Sequence, residues 1–313
     1  MIPPLMRALV TGGAGFIGSN IVDGLLARGD EVTVLDDLST GRLANLEEAR
    51  GHGVDLVEKD IRDAAAVAKL FERVRPEVVF HLAAQIDVRR SVADPVFDAR
   101  INIEGTINVL EAARGTEVAR FVNSSTGGAI YGEGRILPAA EDHPVAPEAG
   151  YGQSKFAAEG YCELYGRLHG LSTVSLRYGN VFGPRQDPLG EAGVIAIFCG
   201  RLLEGGRPTI FGDGRQTRDY VYVGDVVEAN LAAASSQLDG PINIGRGEPV
   251  SVLDLVAALS RLEGSDLDSE LAPPRPGEVQ DIHLDPTRAR AELDWRARVG
   301  LDEGLERTLA SLR

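Results

Sequence analysis

Thr11-Gly12-Gly13-Ala14-Gly15-Phe16-Ile17-Gly18 lies between an apolar run, Arg7–Thr11, and a stretch in which Ile21, Val22, Leu25 and Leu26 recur at helical spacing. Glycines at 12, 15 and 18 let a strand-to-helix turn close tightly and approach a pyrophosphate, whose charge then faces a helix N-terminus. A glycine pattern alone is weak evidence, because a plain tight turn uses the same residues. Its surroundings give it weight. The next apolar run, Glu31–Leu35, leads into Asp36, eighteen residues after Gly18, where a carboxylate can accept both hydroxyls of a ribose. Asp36 and Asp37 would repel a 2′-phosphate, and Arg42 is the only basic residue nearby. The passage therefore predicts NAD rather than NADP.

Working outward, short apolar runs alternate with amphipathic ones. Asp55–Glu58, Val78–Ala83 and Arg120–Ser124 read as further buried strands. Gly29 can close the first helix in a left-handed cap, Asp63 can cap a helix over Ala64–Val74, and Ile103–Arg114 is a helix ended by Gly115. Such alternation predicts an α/β fold, a Rossmann-type doubly wound parallel sheet with helices on both faces. After residue 180 the pattern changes. Gly183–Gly193 is a proline- and glycine-bearing loop, followed by a helix (Val194–Glu204), a strand (Thr209–Gly212) and a strand–helix pair (Asp219–Ala234). Ala272–Gly277, with three prolines, is another loop. The expected organisation is an NAD-binding domain over 1–180 and a smaller α/β substrate-binding lobe over 181–313, with the chain returning to the main sheet around 219–245.

At 313 residues the chain suits about two domains. Lys+Arg number 32 against 47 Asp+Glu, a formal charge of −15, which argues against a nucleic-acid partner because phosphate tracking needs clustered positive charge. Cys162 and Cys199 form no Cys-x-x-Cys pair, so neither a disulfide scaffold nor a metal site is expected, and a reducing cytoplasm fits. No apolar run reaches the roughly 18 residues that span a bilayer, and Met1–Met6 lacks the features of a signal peptide. The expectation is a cytoplasmic protein with no membrane partner.

In open parallel sheets, ligands sit at the carboxyl ends of the strands. That places Asp60 and Ile61 near an adenine, and Leu82, Ala83, Ala84 and Gln85 beside the middle of a dinucleotide. His81, inside a buried strand, reads as a satisfied core residue. Tyr151 and Lys155, four residues apart, share a helical face, and a lysine charge beside a phenol favours the phenolate. Such a tyrosine can take a proton from a substrate hydroxyl while hydride leaves the same carbon. On its own the Tyr-x-x-x-Lys spacing is common on helix surfaces. Downstream of a dinucleotide fold it becomes the leading catalytic candidate, with Thr126 hydrogen-bonding the reacting oxygen.

TGGAGFIG, LDDLSTG from Leu35, DIRD from Asp60, HLAA from His81, YGQSK from Tyr151 and RYGNVFGPRQ from Arg177 together resemble the extended short-chain dehydrogenases/reductases, and within them the UDP-glucose 4-epimerases. The resemblance runs from near residue 7 to the carboxyl end. It implies NAD-dependent inversion at C4 of a UDP-hexose, with Tyr151 as acid/base, Lys155 as its partner and nicotinamide-ribose contact, and Thr126 beside them. It assigns Phe16, Ile17 and Asp36, Asp37, Leu38, Ser39, Thr40 and Gly41 to the ADP half, adds Asn102 to the cofactor contacts, and puts Tyr178 near the nicotinamide. For a UDP-sugar it implies Asn180 at the diphosphate with Val194 close by, Thr209 to Phe211 flanking the uracil, Arg218 and Arg275 on the phosphates and Glu278 on the uridine ribose. It also implies a homodimer, through helices near Val96–Arg114 and Tyr151–His169.

The sequence departs from this family's better-known pattern in several places. Sister dehydratases and decarboxylases carry an acid after the threonine, whereas this chain has Gly127-Gly128-Ala129, which disfavours elimination of water. Gly179 stands where Phe is common, and Gly150 where Pro often precedes the tyrosine. Ile282 falls near a position that helps set sugar size. Arg185 could meet a sugar carboxylate, although a loop salt bridge is favoured. UDP-N-acetylglucosamine and UDP-glucuronate thus stay open as substrates. An NAD-dependent nucleotide-sugar dehydrogenase and a non-catalytic NAD-binding protein are the readings from other classes.

Overall fold

The computed structural model describes residues 5–188, 193–264, 266–274 and 279–313. Its strands, in chain order, are β1 (Arg7–Thr11), β2 (Glu31–Asp36), β3 (Asp55–Glu58), β4 (Val78–His81), β5 (Arg120–Thr126), β6 (Thr173–Tyr178), β7 (Asn180–Phe182), β8 (Thr209–Phe211), β9 (Thr217–Tyr222), β10 (Gly240–Ile244), β11 (Pro249–Ser251) and β12 (Glu270–Ala272). Seven of them form one sheet in the order β10-β6-β5-β4-β1-β2-β3. The pairings β1–β2, β1–β4, β2–β3 and β4–β5 are all parallel. Strand order reverses at β1, with β2 on one side and β4 on the other, so a crevice opens beyond the carboxyl ends of β1 and β4, where Thr11 pairs with His81.

Ala8, Leu9 and Val10 of β1 are all buried, as a strand covered on both faces requires. On one face Leu9, Leu35, Val79 and Phe121 meet Val67, Leu70 and Phe71, then Val109 and Leu110, then Cys162 and Tyr165, from the helices Ala64–Val74, Thr106–Gly115 and Gly150–His169. The helix Phe16–Arg28 packs instead on the helix that follows β9. A Cβ on Gly24 would lie 2.6 Å from Val227 Cγ1, so only glycine allows that approach.

Local sequence chemistry explains most boundaries. Gly29 caps the first helix at φ 87°, and Asp63 accepts the Ala66 N–H at 3.0 Å. Three expectations change. β4 stops at His81 rather than Ala83: the Leu82 N–H still reaches the Thr11 carbonyl, but the Ala83 N–H turns to the Thr11 hydroxyl. β5 runs on to Thr126. The helix expected over Ile103–Arg114 opens as a π-helical stretch, Arg100–Gly105, and ends at Gly115 as expected. The Thr116 hydroxyl donates to the Ala112 carbonyl at 2.8 Å, and Glu117 is the left-handed residue, at φ 57°.

The division of the chain also differs from a boundary near 180. One unit comprises Met1–Ser125, Ala149–Leu176 and Val227–Ile242; the other comprises Thr126–Glu148, Arg177–Val226 and Asn243–Arg313. Within the first, the return of Val227–Ile242 is fixed by a buried guanidinium. Arg120 donates to the carbonyls of Ala233 and Leu238, to the Ser172 and Ser236 hydroxyls and to Asp239. In the second, β7, β9 and β11 form a three-stranded sheet and β8 pairs with β12. Ile130, Tyr131, Ala139, Ile282 and Leu284 form a compact apolar cluster there. Among the described residues no helix is long and apolar enough to cross a membrane.

Candidate active site

The glycine loop is held by contacts that leave its middle open. Gly12 has φ 70°, and a Cβ there would lie 2.7 Å from the Ala83 nitrogen. At Gly18 a Cβ would fall 2.1 Å from the Gly12 carbonyl oxygen. Gly15 differs: a Cβ would meet only that same oxygen, at 3.2 Å, and its φ is −76°. It is the N-cap of a helix with neither a side-chain cap nor an acidic residue in the first turn, which suits a pyrophosphate. Asp36, buried, completes the cradle. Its Oδ2 accepts the Ala14 N–H and its Oδ1 the Leu38 N–H, both at 2.8 Å, which leaves one lone pair on each oxygen for a ribose hydroxyl. Burial raises its pKa, against those two donors. Gly41 presses on it, since a Cβ there would be 2.8 Å from Oδ1. Asp37 accepts both N–H and hydroxyl from Ser39, and Thr40 lies in the same exposed turn. The residues present fit NAD.

Farther along the strand ends, the Asp60 carboxylate is held by Arg62, which lowers its pKa. Ile61 points inward, against Gly105, so its backbone is the part that can face an adenine. Asn102 is buried rather than lining a surface. Its amide donates to the Gln85 carbonyl, Asp98 and Ser154, and it accepts the Gln85 N–H at 2.8 Å. It thereby ties the Leu82–Gln85 segment to the helix Gly150–His169. Tyr151 and Lys155 stand one turn apart on that helix. Lys155 is buried, and burial pushes its pKa down to about 8, against the attraction of the Glu159 and Asp98 carboxylates. A lysine so poised is a compact charge next to the tyrosine's turn.

The second unit holds most of the expected substrate residues. Thr126 ends β5, and Gly127–Ile130 follows as a short helical turn. A Cβ on Gly127 would strike Leu284 at 2.6 Å, and one on Gly128 would lie 3.2 Å from Asn180 Oδ1 and 4.0 Å from Thr126 Oγ1. Thr126 and Asn180 are thus brought together around a bare glycine. Tyr178, buried, precedes Gly179, whose missing side chain is explained by the Asp219 carbonyl, 2.6 Å from where its Cβ would be. Thr209 and Phe211 alternate with the buried Ile210 on β8, so they share the opposite face. Val194 opens the helix Val194–Leu203. Arg218, on β9, donates to the carbonyls of Thr217 and Gln280 at 2.8 and 3.2 Å. Arg275 and Glu278 lie outside the described residues. Ile282 is a core residue, 1% exposed, and does not line a sugar site.

The model of the NAD-dependent epimerase/dehydratase family matches residues 8–245. The chain belongs to this family. Among its relatives, UDP-glucose 4-epimerase of Mycolicibacterium smegmatis is 47% identical over 310 residues, covering 98% of this chain and 99% of that protein. A crystal structure of UDP-glucose 4-epimerase with UDP-glucose from Thermotoga maritima superposes with a TM-score of 0.94 at 45% identity, over 98% of both chains. One from Thermus thermophilus, in complex with NAD, gives 0.91 at 47% identity, again over 98% of both.

For a member of the epimerase/dehydratase family, the sequence reading overlooked the residues that hold the second unit's segments in place. Arg177 donates to the Tyr131 hydroxyl, which donates to Asn243 Oδ1 at 2.8 Å, and Asn243 donates to the Ala139 carbonyl. Glu133 accepts the N–H groups of Gln280 and Asp281 at 2.8 and 3.1 Å. Asp219, buried, accepts three backbone N–H groups, from Arg246, Gly247 and Leu284. These partners are distant in sequence, so spacing carries no trace of them. The one local signal is that Arg177 opens the RYGNVFG run.

Proposed function

We propose that this chain inverts C4 of a UDP-hexose, interconverting UDP-glucose and UDP-galactose through a transient 4-keto sugar. The observation that carries the choice among sister reactions is the glycine pair after Thr126. Leu284 packs against Gly127 and Asn180 against Gly128, so no acid stands where elimination of water needs one. The next acid along the chain, Glu133, is engaged with the backbone of Gln280 and Asp281. What remains is a reversible oxidation with no net change.

NAD, when bound, would supply the acceptor and then the donor for the C4 hydride. Tyr151 takes the proton from the 4-hydroxyl and gives it back, so each half-reaction is the reverse of the other. Lys155 keeps the phenol ionised by its charge, and Thr126 hydrogen-bonds the sugar oxygen. Arg218 and Arg275 hold the diphosphate by charge-assisted hydrogen bonds, a local positive pair within a net-acidic chain. Asn180 and Val194 lie against the same group, Thr209 and Phe211 against the uracil, Glu278 against the ribose and Tyr178 beside the nicotinamide. An anchored diphosphate lets the keto sugar turn over without leaving, which retains the reactive ketone.

We also place the protein in the cytoplasm, where its buried, unpaired Cys162 and Cys199 stay reduced, and assign it a homodimeric state. Support for the dimer is a groove on the first unit in which Pro95, Val96, Ala99, Ile103 and Ile107 form the apolar part of the lining, with Val96 60% exposed.

The test is an NMR time course with UDP-galactose, UDP-N-acetylgalactosamine and UDP-glucuronate, each without added NAD. Inversion of UDP-galactose supports the proposal. Inversion of only one of the other two moves the enzyme to that sugar. A ketone that accumulates in step with NADH, once NAD is added, makes it a dehydrogenase instead.

A further inference from the structure

His81 sits at the end of β4, fully buried, between two threonines. Its Nδ1 lies 2.8 Å from Thr11 Oγ1 and its Nε2 lies 2.9 Å from Thr106 Oγ1. Both hydroxyls have other partners, and those partners decide where the protons are. Thr11 Oγ1 accepts the Ala83 N–H at 3.2 Å and shares the Leu82 N–H, also at 3.2 Å, with the Thr11 carbonyl at 3.1 Å. With N–H groups on its acceptor side, its single proton is directed at His81 Nδ1, which is then the bare nitrogen. At the other end, the Thr106 hydroxyl donates to the Asn102 carbonyl at 2.7 Å, so it can only accept from Nε2. The two ends agree on one tautomer, with the proton on Nε2.

That tautomer closes a one-way chain of donors. It runs from the Leu82 and Ala83 N–H groups to Thr11, then His81, Thr106 and the Asn102 carbonyl. Thr11 immediately precedes Gly12, whose missing Cβ is where the Ala83 nitrogen packs. We propose that neutral His81, fixed as its Nε2–H tautomer, is the positioning residue that locks the glycine loop to the Leu82–Ala83 strand end and so shapes the NAD site. A second proton on Nδ1 would have to displace those N–H groups from the hydroxyl's lone pairs, and Lys155 opposes it by its charge. In keeping with this, His81 is pushed down to about 3 by burial first and by Lys155 second. The imidazole thus serves as a fixed connector rather than an acid or base.

The inference rests on the NAD site and not on which sugar is inverted, so failure of the epimerase reading leaves its readouts intact. The first measurement is long-range 15N–1H correlation on the histidine-labelled, NAD-containing protein. The His81 signal is identified by its loss in His81→Phe or, if that variant does not fold, by assigning His52, His143, His169 and His283 through glutamine variants. Expected is an Nε2–H imidazole that does not titrate between about pH 6 and 8. The second is NAD affinity: Thr11→Val and Thr106→Val should each weaken it about tenfold, the effect of one buried hydrogen bond, and Thr11→Ser should restore it. An Nδ1–H tautomer, a His81 signal that titrates in that range, or unchanged NAD affinity in both valine variants overturns the proposal.

Discussion

A carbonyl oxygen accounts for Gly150. A Cβ there would lie 2.7 Å from the Ser91 carbonyl, so the residue before Tyr151 is set by a close backbone approach that no local rule anticipates. Gly150→Ala should cost about 1–3 kcal/mol of stability, an overpacking penalty that a urea midpoint would register. Tyr151→Phe tests chemistry instead: turnover should fall by at least about a hundredfold while NAD stays bound, and near-normal turnover would remove the tyrosine from its proposed proton role. Lys155 makes a separate, pH-dependent prediction. Burial has pushed it down to about 8, so above that pH the folded protein has released a proton that the unfolded chain still holds up to its ordinary range. Its contribution therefore becomes more stabilising as pH rises from about 8 towards 10, and Lys155→Met should flatten that rise in urea midpoints taken across the range. The tyrosine, lysine and aspartate positions were all visible in the sequence because their spacing is local. The enclosed roles of Asn102 and Ile282 were not, because burial depends on what other segments bring.

At the scale of elements, alternation of apolar runs with amphipathic ones was enough for β1 to β5 and for the helices Phe16–Arg28, Ala64–Val74 and Thr106–Gly115, but not for the short helices Glu47–Gly51, Val88–Ala93 and Pro95–Ala99. β1, β2, β4 and β5 are buried on both faces, whereas β3 lies at the sheet edge and is only partly covered. Spacing also found the glycine loop, but assigned its three glycines one common purpose. The structure separates them. Gly12 and Gly18 are demanded by the chain's own backbone, whereas a Cβ on Gly15 would meet one atom, the Gly12 oxygen at 3.2 Å, a contact that a small shift relieves. Gly18→Ala should therefore lower both stability and NAD affinity. In contrast, Gly15→Ala should keep the unfolding free energy within about 1 kcal/mol of the parent, the range of an N-cap change, and lose NAD affinity. Equal losses of stability in the two variants would contradict this separation. The end of β4 shows what spacing misses: the Ala83 N–H leaves the ladder for a threonine hydroxyl 72 residues away in sequence, while the Leu82 N–H divides itself between that hydroxyl and the Thr11 carbonyl.

For the whole molecule, composition excluded more than it identified. A charge of −15 argues against broad polyanion binding but does not reveal a dimer surface. For the proposed dimer the apolar side chains around Val96 are the candidate surface, and Val96→Glu should give a monomer in light scattering without lowering the unfolding free energy by more than about 1 kcal/mol; a dimer that persists would point elsewhere. The interleaved division of the chain was also invisible to a reading that proceeds from one end, since Thr126–Glu148 and Val227–Ile242 are grouped by contacts far along the sequence. This has a consequence for biosynthesis. The ribosome makes Arg120 well before Ala233, Ser236, Leu238 and Asp239, the acceptors that enclose its guanidinium. At roughly 5–20 residues per second that interval is about 6–24 s. Throughout it the nascent sheet lacks β10 at its edge and the Arg120 guanidinium stays hydrated, so this side of the sheet closes only when the returning segment emerges.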